Sequence, residues 1–221
     1  MHRVSVKVVS DNVCPWCFVG KRNLESAMAQ FAGRLDIVVE YFPFSLHGDT
    51  MPVEGMPIAE YLYKVYRIKM DPNDPNSPLK AAGERAGILF NNQRAMVNTL
   101  DSHRIIALAK ELGKQLEMVE AIFHHYFEEA ADISRTDQLV HISSKVLGQR
   151  LSPDDLRSFL LSDRLKDEVS LQISKASQDN VTGVPFFSIE GDNAPVMLLS
   201  GAQPPESCVQ AFSRHLAHPN L

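Results

Sequence analysis

Cys14-Pro15-Trp16-Cys17 is the segment of this sequence whose residue types and spacing could do chemistry. At the start of a helix, unpaired backbone N–H groups and the helix dipole favour negative charge. Cys14 is therefore the thiol expected to ionise more easily and to act as a nucleophile. Cys17 stands one turn further on. From there it can close a small disulfide ring, or free a mixed disulfide by attacking the first sulfur. Pro15 lacks an N–H that the first turn would leave unbonded anyway, and Trp16 offers an aromatic surface beside the sulfur. The competing chemistry is zinc, for which two thiolates are half a site. Further ligands are scarce. Cys208 is the one other cysteine, no H-x3-5-H spacing accompanies it, and the adjacent His124-His125 would point about 100° apart on a helix. An inert buried pair is the third alternative, but C-x-x-C between a strand and a helix is the redox context.

The elements that must position the motif are legible around it. Residues 1–10 alternate Val4, Val6 and Val8 with polar residues and read as a strand. A helical pattern runs from the motif to about Phe31, with Leu24, Ala27, Met28 and Phe31 on one face, and Gly33 stops it. Residues 35–42 (LDIVVEYF) form a nearly continuous apolar run, which predicts a strand buried on both sides at the centre of a sheet. Residues 48–57 and 71–78 are loop-like. Between about 58 and 178 the pattern is helical, with segments at 58–68, 101–112 and 119–127 and a helix start at Ser152-Pro153-Asp154-Asp155. A hairpin follows, from 184–190 and 196–200 around Gly191-Asp192-Asn193. The last helix opens at Pro204-Pro205 with Val209, Phe212 and Leu216 inward. The order β-α-β, helical block, β-β-α predicts an α/β protein: a four-stranded mixed sheet flanked by helices and split by an all-helical insertion. The sheet domain takes 1–45 and 175–221 and the insertion takes 46–174.

Gly183-Val184-Pro185 opens the late strand. A proline there cannot donate to the sheet ladder. Its bland reading is an edge or turn proline. Its functional reading is a cis-proline loop beside the cysteines that offers the Val184 backbone to an extended substrate.

Composition bounds the rest. A chain of 221 residues can bury a core without staples, and three cysteines are too few for a disulfide scaffold. A net charge of −5 argues against nucleic acid as a partner. No apolar run approaches the ~18 residues of a membrane span, so no membrane partner is expected. No leader precedes Cys14, so the expected location is cytoplasmic.

The layout and motifs resemble the DsbA-like branch of the thioredoxin superfamily, and within it the FrnE-type subgroup. The resemblance rests on Asp11, the Cys14–Cys17 motif, Gly20-Lys21, Pro43-Phe44 and Leu46. It continues through Asn98-Thr99, His103-Arg104, Gly183-Val184-Pro185 with Phe187, and Ser200-Gly201-Ala202-Gln203. It implies a thiol–disulfide oxidoreductase in which Cys14 is the exposed nucleophile and Cys17 the buried resolving thiol. Pro185 would be the cis-proline, and Pro15, Trp16, Val184 and His103 would serve the substrate side. It implies no metal or nucleotide. The redox-active disulfide carries the electrons, with glutathione as a possible reductant or co-substrate. Substrates would be thiols or disulfides of proteins or small molecules, and the chain a monomer or homodimer. One position departs from the family: the buried acid usual six residues before the first cysteine is Val8 here. Proton transfer to Cys17 then needs water or another group, since Asp11 and Glu40 are not equivalent. The related glutathione-dependent branch, kappa-class transferases and 2-hydroxychromene-2-carboxylate isomerases, typically has Ser at the first cysteine and Asp-Arg after the late glycine. Cys14 and Gln203-Pro204 differ from both. A non-catalytic chaperone or binding module on the same fold is the remaining alternative.

Among lesser candidates, His103 reads either as a packed histidine at a helix start or as a group tuning the cysteines. Cys208 lies on the apolar stripe of the last helix and reads as packing. Phe123, Tyr126 and Phe127 read as core, and Glu128-Glu129 and Asp154-Asp155 as solvated faces and caps.

Overall fold

The computed structural model describes residues 2–47, 51, 55–71, 74, 77–192 and 194–216. The chain starts with β1 (His2–Ser10), α1 (Pro15–Ala29) and β2 (Leu35–Pro43), and ends with β5 (Phe186–Gly191), β6 (Ala194–Ser200) and α9 (Pro205–Ser213). These strands form a mixed sheet in the order β2-β1-β5-β6. β1 runs parallel to β2 and antiparallel to β5, and β5–β6 is the hairpin. Val4, Val6 and Val8 are almost fully buried on one face of β1, which is why the alternation marks a strand. This is the thioredoxin-like arrangement expected, with a helical insertion between β2 and β5.

The insertion contains α2 (Ile58–Tyr66), α3 (Pro78–Ala86), α4 (Leu100–Glu111), α5 (Gln115–Phe127), α6 (Thr136–Leu147), α7 (Pro153–Leu161) and α8 (Lys166–Gln178). The start of α7 is a capping box, with Ser152 and Asp155 bonding each other's backbone N–H. Two further strands, β3 (Met56–Pro57) and β4 (Ala95–Met96), pair antiparallel, so the block is not purely helical as expected. A two-residue ladder is too short to leave a period in the sequence. The expected domain boundary at 174/175 falls inside α8. The loop segments 48–50, 52–54, 72–73 and 75–76, and Asn193 of the hairpin turn, lie outside the described residues.

β2 departs from its expected place. It is an edge strand, not a central one, and Val38 is 37% exposed. Its apolar run reflects two different surroundings. Leu35, Tyr41 and Pro43 face the core, while Phe42 lies under Lys110 of α4. Only one side of the strand is paired, and the opposite face is covered in part.

One hydrophobic cluster joins sheet and insertion. It contains Val4, Val6 and Val8 of β1 together with Ile122, Phe123 and Phe127 of α5. Phe18 of α1 stacks on Phe123 and Phe127, at ring centroid distances of 5.2 and 5.8 Å. α1 is thus held between the sheet and the insertion. Among the described residues, no helix is long and apolar enough to cross a membrane.

Candidate active site

Cys14 is the N-cap of α1, in extended backbone conformation, with Pro15 opening the first turn. The turn that presents it is closed by backbone bonds from Cys14 N to Asp11 O (3.1 Å) and from Cys17 N to Cys14 O (3.0 Å). Asp11 is buried and clamps this loop: its carboxylate accepts from the backbone N–H groups of Leu46 (2.7 Å) and Val13 (3.5 Å). Both cysteines are free thiols. Cys14 is not the exposed nucleophile expected. It is 5% exposed, against 2% for Cys17, because the late loop covers it. That loop contains the cis peptide Val184–Pro185, and the Cys14 thiol donates to the Val184 carbonyl at 3.6 Å. The motif and the late Val-Pro, 170 residues apart in sequence, therefore meet at one sulfur.

Residues 5–213 match the family model of the DSBA-like thioredoxin domain. The chain belongs to this family. It is 28% identical over 196 residues to the uncharacterized protein YwbO of Bacillus subtilis, a match spanning 84% of this chain and 86% of that one. A probable DsbA oxidoreductase from Streptomyces coelicolor superposes with a TM-score of 0.80 at 29% identity, covering 96% of this chain and 89% of that one. A 2-hydroxychromene-2-carboxylate isomerase superposes with a TM-score of 0.66 at 16% identity, covering 95% of each chain, and so shares the fold.

In this DSBA-like domain the two thiols differ in surroundings. Burial pushes the Cys17 thiol well up, and the neighbouring Cys14 sulfur pushes it further. The Ser10 hydroxyl and the Asp11 N–H work weakly in the opposite direction. Cys208 lies in α9, 2% exposed, and burial raises it to about 11, as suits a thiol used for packing.

His103 does not touch a sulfur. Its Nε2 lies 3.0 Å from Phe44 O and 3.5 Å from Asp11 Oδ1, and its Nδ1 lies 3.3 Å from Asn12 Nδ2. A ring with its hydrogen on Nε2 satisfies this set, donating to Phe44 and accepting from Asn12. Asn12 also donates to Ser102 Oγ at 2.8 Å. The histidine therefore braces the loop ahead of Cys14. Trp16, 38% exposed, lines a groove of about 540 Å3 with Leu62, Ile68, Leu79, Leu89 and Phe90 of the insertion.

Sequence reasoning missed a polar group behind Cys17. Lys21 is 5% exposed, and its Nζ lies 2.5 Å from both Glu25 and Glu120. Arg22 also pairs with Glu120, at 2.5 Å. Tyr41 is the register partner of Val8, the position from which the usual acid is missing. Parallel register partners project from the same face of the sheet. The Tyr41 hydroxyl is therefore on the Cys17 side, and burial, with Glu25, Cys17 and Glu120 adding to it, pushes that phenol well up. The i, i+4 spacing of Lys21 and Glu25 was visible, but their meeting with Glu120 and Tyr41 depends on packing between elements. Among the described residues, no group of three or more His, Cys, Asp or Glu gathers as a metal site.

Proposed function

We propose that this chain is a thiol–disulfide oxidoreductase of the FrnE type that cycles a Cys14–Cys17 disulfide. The observation that carries the reading is the contact of Cys14, at a helix N-terminus, with the Val184 carbonyl beside the cis Val184–Pro185 bond. In the reducing direction the Cys14 thiolate attacks a substrate disulfide. One substrate sulfur leaves as a thiolate and the other stays bonded to Cys14. Cys17 loses its proton and attacks Cys14 Sγ. The Cys14–substrate bond breaks, the second substrate sulfur leaves as a thiolate, and the protein holds the new disulfide. In the oxidising direction the same steps run backwards. Val184 offers its backbone to an extended substrate segment, and Trp16 and Pro15 supply apolar surface beside the sulfur. Substrates are thiols or disulfides of proteins or small molecules, with glutathione as reductant or co-substrate. Work in a reducing cytoplasm suits a transient catalytic disulfide.

Cys14→Ser is expected to abolish turnover of a model disulfide such as glutathione disulfide, and full activity in that variant would sink the reading. Saturable glutathione binding with activity that survives Cys17→Ser would point instead to the glutathione-dependent transferases and isomerases. The reduction potential of the pair sets the direction: near about −270 mV it works as a reductase, near about −120 mV as an oxidase.

A further inference from the structure

Arg94 is 4% exposed, and no carboxylate among the described residues forms an ion pair with it. A buried charge is ordinarily paired, because desolvation without compensation is costly. The hydrogen bonds of this guanidinium run from Nη1 alone, to Asn91 O at 2.8 Å and Asn92 Oδ1 at 3.4 Å. Nε is sealed off without a partner, whereas Nη2, also without one, is not sealed. The group lies on the rings of Phe90 and Phe127, with centroid distances of 5.7 and 5.3 Å, which fix its plane and leave its charge uncompensated. Burial pulls its pKa down and the Tyr126 hydroxyl works against that, and an arginine keeps its proton in a protein. Arg94 and Phe90 both line the groove of about 540 Å3 that Trp16 shares. That volume suits a small-molecule ligand. The other charges around the groove, Lys69 and Lys80 against Asp71, Asp74 and Glu84, nearly cancel one another.

We propose that this groove takes the carboxylate of a small thiol or disulfide substrate, with Arg94 as its specificity-determining residue. The inference rests on the oxidoreductase reading and adds the substrate class to it: an apolar body whose carboxylate stands apart from its sulfur. Trp16 is two residues beyond Cys14 and lines the groove, so the half of the substrate held on Cys14 reaches the groove past the indole. Arg94 Nη2 then donates to the carboxylate, which supplies the missing countercharge where burial strengthens the pair. The exchange itself is unchanged. The Cys14 thiolate bonds to the near sulfur, the substrate S–S bond breaks, and the far sulfur leaves as a thiolate. Cys17 gives its proton to solvent and bonds to Cys14 Sγ, and the held half leaves as a second thiolate. The substrate disulfide is reduced and the protein dithiol oxidised. A neutral disulfide undergoes the same exchange without the Arg94 pair.

The test is rapid mixing of reduced protein with two chromogenic aromatic disulfides. One is 5,5′-dithiobis(2-nitrobenzoate), with a carboxylate on each ring, and the other is uncharged 4,4′-dithiodipyridine. The readout is the ratio of their second-order rate constants at Cys14, which cancels any effect common to both. Arg94→Met, whose unbranched chain can lie on the same two rings, and Arg94→Gln are each expected to lower the ratio at least fivefold. Arg85→Gln removes an equal charge from the exposed end of α3, outside the groove, and is expected to move the ratio less than twofold. A ratio within twofold of wild type in the Arg94 variants, or an equal fall in Arg85→Gln, would overturn the subsite and leave the oxidoreductase reading standing. A second measurement needs no variant. S-Methylglutathione, which has carboxylates and no thiol, is expected to protect wild-type Cys14 from the dianionic reagent at a concentration at least fivefold lower than its dimethyl ester. Equal protection by acid and ester would also overturn the subsite. A wild-type protein that forms no Cys14–Cys17 disulfide with either reagent would overturn the parent reading as well.

Discussion

Gly20 of α1 lies directly against Pro185: a Cβ built on the glycine would fall 2.9 Å from the proline Cγ and 3.1 Å from Phe187 Cζ. The helix carrying the cysteines thus touches the late loop through a residue without a side chain. Alanine in a helix is worth about 1 kcal/mol over glycine, but overpacking of a filled site costs about 1–3 kcal/mol. The proline ring is stiff and has little room to give, so the second effect wins. Gly20→Ala is expected to lower the thermal midpoint and to slow disulfide turnover several-fold by displacing Val184 from Cys14. A midpoint above that of wild type would show that the contact is slack.

Lys21 depends on its carboxylates. Burial alone would raise the Glu120 carboxyl, yet Arg22 and Lys21 outweigh it and hold the group below the ordinary carboxylate range. A depressed carboxyl contributes stability that is present above its unfolded pKa and is lost as the pH falls through the folded one. Unfolding free energy of the wild type is therefore expected to fall in mild to strong acid more steeply than that of Glu120→Gln. At neutral pH the variant is expected to be the less stable protein, because Lys21 keeps only Glu25. Parallel pH curves for the two proteins would remove Glu120 from the account.

Cys208 titrates at about 11 in the fold, against an ordinary thiol value of 9.0. Its raised pKa means that the thiol favours the folded state fully below 9, and that this contribution is lost as the pH climbs towards 11. Chemical denaturation at pH 8 and pH 10 is expected to show a larger loss for wild type than for Cys208→Ala. One pKa unit is worth about 1.4 kcal/mol, so the excess loss is on the order of 1 kcal/mol. The same burial predicts that an aromatic disulfide reagent labels Cys208 only after unfolding. Labelling in the native protein at the rate of a free thiol would contradict it.

The brace at His103 has its own signature. Replacing the ring with leucine leaves Phe44 O and the Asn12 amide short of partners inside the protein. Each such loss costs about 1–3 kcal/mol. His103→Leu is expected to shift the urea midpoint down by that scale, with an unchanged slope against denaturant. A midpoint equal to wild type would mean that the loop ahead of Cys14 is held by Asp11 alone.

What was legible in the sequence follows the range of the forces involved. The valine alternation of β1, the capping box at Ser152 and the pairing of a helix-start C-x-x-C with a late Val-Pro are local patterns, and each sits in the fold where the pattern puts it. The edge position of β2 was not legible, because the nearly continuous apolar run of residues 35–42 looks alike beside one partner strand or two. The burial of Cys14 was hidden for a similar reason: the chain that covers it lies 170 residues away. Tyr41 became a candidate only once the register set it beside Val8. In sequence it is one more aromatic in a strand.

The Phe18–Phe123–Phe127 stack joins the cysteine helix to the insertion through a shared interior. The insertion is therefore an excursion of the chain's path but not a separable module. Excising residues 46–174 would strip the inner face of α1 of its aromatic partners and leave Phe18 facing water. Swapping the insertion for that of a relative would require trading α1 with it, so the helix that carries the cysteines and the helices that roof it are constrained to change together.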